Sequence, residues 1–327
     1  MNKIQLSTTI KYIFKFLKTA GFITLAAFAQ ANDNPLFLQK MTNPQDYNPV
    51  VAIAAQPESI CGTDDLQHIE NYDGRYNGIG FNQQRIENYS PSVGAIKSRA
   101  SATQTSYCSG TLISNNVFLT ASHCVGRGTV GDFVAFGYQN EGASNTLRAS
   151  QQFFQITGIL EDGITNNLDY AVLSLANNPG NAIGAFPGAQ GTALGWKSVV
   201  ARTPAQALII QHPLGEPKQL DAGSNVTTGG TRLFYSDIDT QPGSSGSGVL
   251  DTSGRVAGVH TNGRCGVNGG NNSGVAMEDI IDASNVVSLP RCDKKLLGSE
   301  SWGTCMCDGV ILGTNSCEYC FDRECYD

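Results

Sequence analysis

Cys108-Ser109-Gly110-Thr111-Leu112-Ile113, followed after a short turn signal by Val117-Phe118-Leu119-Thr120-Ala121-Ser122-His123-Cys124, is the stretch whose reading decides the fold. Gly110 to Ile113 and Val117 to Thr120 are short apolar, β-branched runs and read as two strands. The second run delivers a histidine. An imidazole there is a candidate base, useful only if a carboxylate orients it and a nucleophile meets it. Candidates for both follow downstream. Asn167-Leu168-Asp169-Tyr170-Ala171 sets an acid at the mouth of an apolar strand, and Gly243-Ser244-Ser245-Gly246-Ser247 sets three hydroxyls in a glycine-rich turn. His, Asp, Ser is one of three unrelated chain orders in which this geometry is built.

The same short-strand pattern extends outward. Val93 to Ile96, Phe133 to Gly137 and Tyr170 to Leu175 complete a first set. Asn177 to Gly191, rich in Gly, Pro and Asn, reads as a linker. Ala193 to Leu194, Ala207 to Gln211, Leu233 to Ile238, Ser247 to Leu250 and Val256 to His260 form a second set. Met277 to Ser284 reads as a terminal helix, and no earlier segment holds a sustained helical period. Many short strands between turn signals predict an all-β fold, barrels or a sandwich. The 37 glycines and 15% charged residues agree with a turn-rich β protein.

The N-terminal end reads as an export signal. Lys3, Lys11, Lys15 and Lys18 are basic, Thr19 to Phe28 is apolar, and Ala29-Gln30-Ala31 is an A-x-A cleavage site. The uncharged stretch is too short for a membrane anchor. Residues 1–31 are expected to be a removed signal peptide, and the protein to be secreted to the exterior or the periplasm. Residues 32–60, rich in Asn, Pro and Gln, read as a propeptide or loose leader. Ten cysteines in an oxidising compartment imply five disulfides. Cys61, Cys108, Cys124 and Cys265 are scattered. Cys292, Cys305, Cys307, Cys317, Cys320 and Cys325 crowd the C-terminus. Two bridges plus three is the simplest partition, so residues 291–327 are expected to form a small Cys-rich stapled tail.

Thiolates spaced as Cys305-Met306-Cys307 and Cys317-Glu318-Tyr319-Cys320 also bind zinc, but export favours disulfides, so neither metal nor other cofactor is expected. The net charge of −7 argues against nucleic acid as a partner. No membrane association is expected once the signal is removed. Protein or peptide substrates are the expected partners. Trp302, Tyr319, Phe321 and Tyr326 give the tail either a small core, which so short a unit needs first, or a face for docking on a surface or substrate.

From Cys108 to Cys124 the sequence resembles the segment around the catalytic histidine of chymotrypsin-like serine proteases, and the resemblance extends over about residues 61–290. It implies two antiparallel six-stranded β-barrels with the active site between them. It also implies a disulfide joining Cys108 to Cys124, with His123 as base and Asp169 as its orienting acid. Ser245, with Gly243 two before it and Gly246 directly after, is implied as the nucleophile. The amides of Gly243 and Ser245 are implied as the oxyanion hole. No serine in this turn fits the G-x-S-x-G elbow of α/β-hydrolases.

Three departures move the chain from the animal digestive enzymes toward the bacterial-type branch near the glutamyl endopeptidases. Ser244 stands where those enzymes have the Asp of their activation ion pair, so zymogen control would take another form. Gly248 replaces a Pro, and the interval from Asp169 to Ser245 is short. Cys61-Gly62-Thr63-Asp64-Asp65 resembles the start of mature domains in that branch. This start is preferred to a cut at Arg85-Ile86 because it keeps an even number of cysteines.

Specificity has two readings. Asp239, six before Ser245, matches the pocket position that selects Arg or Lys in trypsin. His260 with Thr240 matches the pair that binds a glutamate side chain in glutamyl endopeptidases. Both cannot set specificity unless Asp239 turns away to satisfy backbone amides. Thr261, Asn262 and Gly263 are expected to form the edge that pairs with substrate backbone. His212-Pro213 reads as a turn histidine. The function expected is a secreted serine endopeptidase working through an acyl-enzyme. The alternative is a secreted binding module that docks through its tail and leaves the site unused.

Overall fold

A computed structural model describes residues 59–289 apart from 127, 143–144, 181–195 and 267–268, together with the backbone of three short strands at 292–295, 304–307 and 310–312. The expected signal peptide, most of the leader, the bulk of the linker and the tail side chains lie outside the described residues. No helix among them is long and apolar enough to cross a membrane.

The chain enters through a two-residue strand β1 (Gln67–His68) and a short helix α1 of about two turns (Gln83–Tyr89), capped by the Asn82 side chain accepting from Arg85 N. A closed barrel follows, built from β2 (Val93–Lys97), β3 (Cys108–Leu112), β4 (Val117–Thr120), β5 (Phe133–Phe136), β6 (Gln152–Asp162) and β7 (Ala171–Leu175). Their order is β2-β3-β4-β7-β6-β5. Phe118, Phe136 and Phe154 fill its interior edge to face, with centroids 5.9 and 5.8 Å apart.

The second half holds β8 (Ala207–Gln211), β9 (Gln219–Gly223), β10 (Val226–Gly229), β11 (Arg232–Tyr235), β12 (Gly248–Leu250), β13 (Val256–Asn262) and β14 (Asn272–Ala276). With β1 they form an eight-stranded antiparallel sheet in the order β1-β9-β8-β12-β13-β14-β11-β10. The all-β fold is as expected. The first sheet closes with six strands, whereas the second curls as a half-barrel, its β1 edge supplied by the N-terminal segment. One hydrophobic cluster runs from Phe118 and Leu119 in the barrel to Leu208, Val259 and Val275 in the sheet, so the halves share a core. Helix α2 (Met277–Ala283) packs back on β13 and β14 through Met277 and Ile280. Beyond it, β15 (Cys292–Lys295), β16 (Thr304–Cys307) and β17 (Val310–Leu312) pair antiparallel as a separate small sheet.

The four scattered cysteines form two disulfides, Cys108–Cys124 as expected and Cys61–Cys265. Ile86 is fully buried inside α1, so an N-terminus freed at Arg85-Ile86 is incompatible with this packing.

Candidate active site

Strand β4 ends in a 3-10 turn, Ser122–Cys124, that turns His123 toward the second sheet. The Cys124 disulfide to β3 anchors that turn. On the barrel's other side, β6 runs into a turn at Gly163–Asn166 closed by Asn167 in the left-handed region, φ 56°. Gly163 N donates to Tyr170 O and Leu168 N to Gly163 O, which places Asp169 at the start of β7. Its carboxylate takes His123 from two directions. Asp169 Oδ1 accepts from His123 N at 3.0 Å, and Oδ2 lies 2.8 Å from His123 Nδ1. The other ring nitrogen, Nε2, lies 2.8 Å from Ser245 Oγ.

Burial alone would push the Asp169 carboxyl up. The His123 charge and the hydrogen bonds from His123 outweigh it and hold the group below the usual carboxylate range. An ionised Asp169 keeps the imidazole proton on Nδ1, and Nε2 then presents a lone pair to Ser245 Oγ.

Of the three serines in the turn, Ser245 is the one whose hydroxyl meets His123. Ser244 is fully buried and its Oγ accepts from Gln241 N. Ser247 is fully buried as well. Gly246 has φ +89°, and a Cβ there would sit 2.1 Å from Thr120 Oγ1 and 2.2 Å from Ser109 O, so the turn fits only with glycine. Gly243 has φ +101°.

The peptide planes of the turn are fixed from behind. Leu214 N donates to Pro242 O at 2.6 Å, and Ser247 N to Ser244 O at 3.1 Å. In a trans peptide the N–H points opposite to the C=O, so the amides of Gly243 and Ser245 are aimed away from those donors. Ser109 adds two ties. Its N donates to Ser245 O at 2.8 Å, and its hydroxyl donates to Gly243 O at 2.9 Å while accepting from His212 N at 3.0 Å. Sequence reading passed over Ser109 and Leu214. Ser109 had a signal, its place beside Cys108. Leu214, at φ 55°, had none, because a leucine in the left-handed region is invisible to pattern. The expected turn histidine, His212, is a support of this turn, stacked on Tyr138.

The specificity candidates separate. His260 flanks Ser245: Gly246 N donates to His260 O and His260 N to Ser247 O, both at 2.8 Å. Tyr235 Oη meets His260 Nδ1. With Tyr235 as donor, the neutral ring carries its proton on Nε2 and can serve an anion. Thr240 is fully buried, and its hydroxyl has no hydrogen-bond partner among the described residues. Asp239 faces elsewhere. Its carboxylate accepts from Cys61 N at 2.6 Å and Asp65 N at 2.7 Å. Burial pushes its carboxyl up, against the pull of those amides. Thr261 and Asn262 end β13, whose pairing with β12 stops at Val259, and Gly263 follows.

His260 and His212 are both fully buried. Burial holds His260 down to about 3 and His212 well below its usual range, so both fold as neutral rings. In the unfolded chain each takes up a proton near pH 6.5. Below that pH the unfolded chain binds more protons, so stability falls with falling pH. The melting temperature is expected to drop as the pH goes from 6.5 toward 3, and His260→Phe to flatten part of the slope. An identical slope in the variant would contradict a neutral, buried His260.

Residues 108–259 match the family model described as a trypsin-like peptidase domain. This segment is a trypsin-like peptidase domain. The chain is thus a serine protease, a hydrolase. Among solved structures, a Glu endopeptidase in complex with MPD aligns at 25% identity and a TM-score of 0.46, covering 66% of this chain and 93% of that one. The serine endoprotease from Yersinia pestis aligns at 18% identity and a TM-score of 0.43, covering 61% and 63%. Neither likeness is close, and no curated protein matches the sequence.

Proposed function

We propose that the protein is a secreted serine endopeptidase that forms an acyl-enzyme on Ser245 and prefers an acidic residue at P1. The contact that carries the reading is Ser245 Oγ within 2.8 Å of His123 Nε2, with Asp169 2.8 Å from the far side of the same ring. Ser245 Oγ attacks the scissile carbonyl as His123 takes its proton. The negative oxygen that forms is held by the amides of Gly243 and Ser245. Collapse breaks the C–N bond, and His123 gives the proton to the departing amine. Water then repeats the sequence in place of the amine and releases the acid, restoring Ser245 Oγ–H. Asp169 holds the ring's tautomer throughout and stabilises the imidazolium.

The acidic preference rests on two groups. His260 Nε2–H and the Thr240 hydroxyl are donors, and a carboxylate needs donors. Asp239 does not oppose them, because its charge is spent on Cys61 N and Asp65 N. Residues 61–290 are the protease domain of this reading, 1–31 the export signal, 32–60 the leader and 291–327 the stapled tail.

Digestion of a proteome-derived peptide library tests the proposal. Cleavage after Glu or Asp supports it. Cleavage after Arg or Lys would overturn the specificity, and an intact library would favour the binding module. His260→Phe is expected to lower kcat/KM on acidic-P1 peptides by about 10- to 100-fold, the worth of one hydrogen bond to a charged group. An unchanged ratio would remove His260 from the pocket.

A further inference from the structure

Asp239 stands where trypsin-like enzymes read a basic side chain, yet here it is consumed by the chain's own N-terminal segment. Its two oxygens take Cys61 N and Asp65 N. Further ties join the same parts. Thr240 N donates to Ser59 O at 3.3 Å. Asn272 Nδ2 donates to Ser59 O at 2.6 Å and to Ile238 O at 2.9 Å, bridging the segment to the residue before Asp239. Asn272 Oδ1 accepts from Arg264 N and Cys265 N, which fixes the chain just past the substrate-pairing residues 261–263. The Cys61–Cys265 disulfide, spanning 204 residues, makes that junction covalent. Behind Asp239, its own N donates to Asp221 Oδ2 at 2.6 Å, and Asp221 also accepts from Tyr76 Oη, a second hold on the N-terminal region.

We propose that residues 61–65 are a built-in wall of the primary specificity pocket and that Asp239 is a positioning residue that latches them, with Cys61–Cys265 as the covalent hinge pin. The clasp closes around both sides of the pocket: residues 238–240 on one side and 264–265 on the other are joined through the same segment. Asp239 therefore acts on substrate through the shape it imposes on Thr240 and on residues 261–263, not through its own charge. An ionisable group at this position then confers no preference for Arg or Lys. The inference rests on the serine peptidase reading but not on the identity of the preferred P1 residue.

The test compares wild type, Asp239→Asn and the double variant Cys61→Ser/Cys265→Ser on the best substrate found with wild type, whatever its P1. A second readout is labelling of the active serine by diisopropyl fluorophosphate, a small reagent that fills no P1 pocket. Asparagine turns one acceptor into a donor facing a backbone N–H. Both variants are expected to raise KM by about tenfold or more, with kcat within about threefold and labelling rate within about twofold of wild type. Unchanged KM in the double variant and in Asp239→Asn overturns the clasp. Wild-type cleavage after Arg or Lys that Asp239→Asn abolishes overturns it too, because Asp239 then reads the substrate directly. Should Asp239→Asn fail to label, the double variant, which keeps the Asp239 contacts, decides by its KM. Wild type that cleaves at a P1 other than Glu or Asp sinks the acidic preference alone and leaves the KM comparison standing.

Discussion

Ser245→Ala is expected to lower kcat/KM by about 10⁴-fold or more while leaving the thermal unfolding transition nearly in place. The substitution removes the atom that would bond to the scissile carbonyl and the proton His123 would take. It removes little else. Ser245 O still accepts from Ser109 N, and the peptide planes on either side stay tied through Pro242 O and Ser244 O. Residual activity above that of water would come from the amides of Gly243 and Ser245 and from substrate binding. Single-turnover kinetics on a P1-matched ester measure the loss. A variant within tenfold of wild type would show that another group carries the chemistry.

Asp169→Asn is expected to cost about 10⁴-fold in kcat with KM changed only severalfold. With the amide oxygen kept as the acceptor of His123 N, the amide NH2 faces His123 Nδ1 and bonds it by donating. The imidazole proton then moves to Nε2, and the nitrogen facing Ser245 Oγ loses its lone pair. Geometry survives and chemistry stops. The same substitution bears on acid stability. Asp169 is held below the usual carboxylate range, so its ion pair contributes stability above that range and loses it as pH falls through the depressed value. The variant lacks that contribution and should therefore unfold at less acidic pH than wild type. A loss of kcat below tenfold would leave Asp169 as a strand-end carboxylate with no part in the reaction.

The first barrel was largely legible because its strands are short, apolar and separated by turn residues. β2, β4, β5 and β7 fall within a residue of their expected bounds. The strand missed there, β6, is the longest, and its sequence explains why. Phe153 and Phe154 are adjacent, Gly158 interrupts, and the register shifts at Ile156/Gly158 and Ile159/Glu161 break the two-residue alternation. β14 was missed for a different reason. Asn272-Ser273-Gly274 looks like a loop, and its burial comes from lying between β11 and β13. Helix α1, seven residues long, is too short to display a helical period.

At the site, three motifs carried their own signal. The choice among Ser244, Ser245 and Ser247 became physical only when two of the hydroxyls were seen to be buried away from His123. Asp239 marks where local pattern ran out. Its partners, Cys61 and Asp65, lie 178 and 174 residues away in sequence, and no spacing rule connects them.

Ser245 is proposed as the nucleophile that His123 activates. Peptide mass spectrometry after diisopropyl fluorophosphate treatment tests it most directly. A single modification is expected, on Ser245, abolished by Ser245→Ala and strongly slowed by Asp169→Asn. Modification at Ser244 or Ser247, or a folded protein that takes up no label, would contradict it.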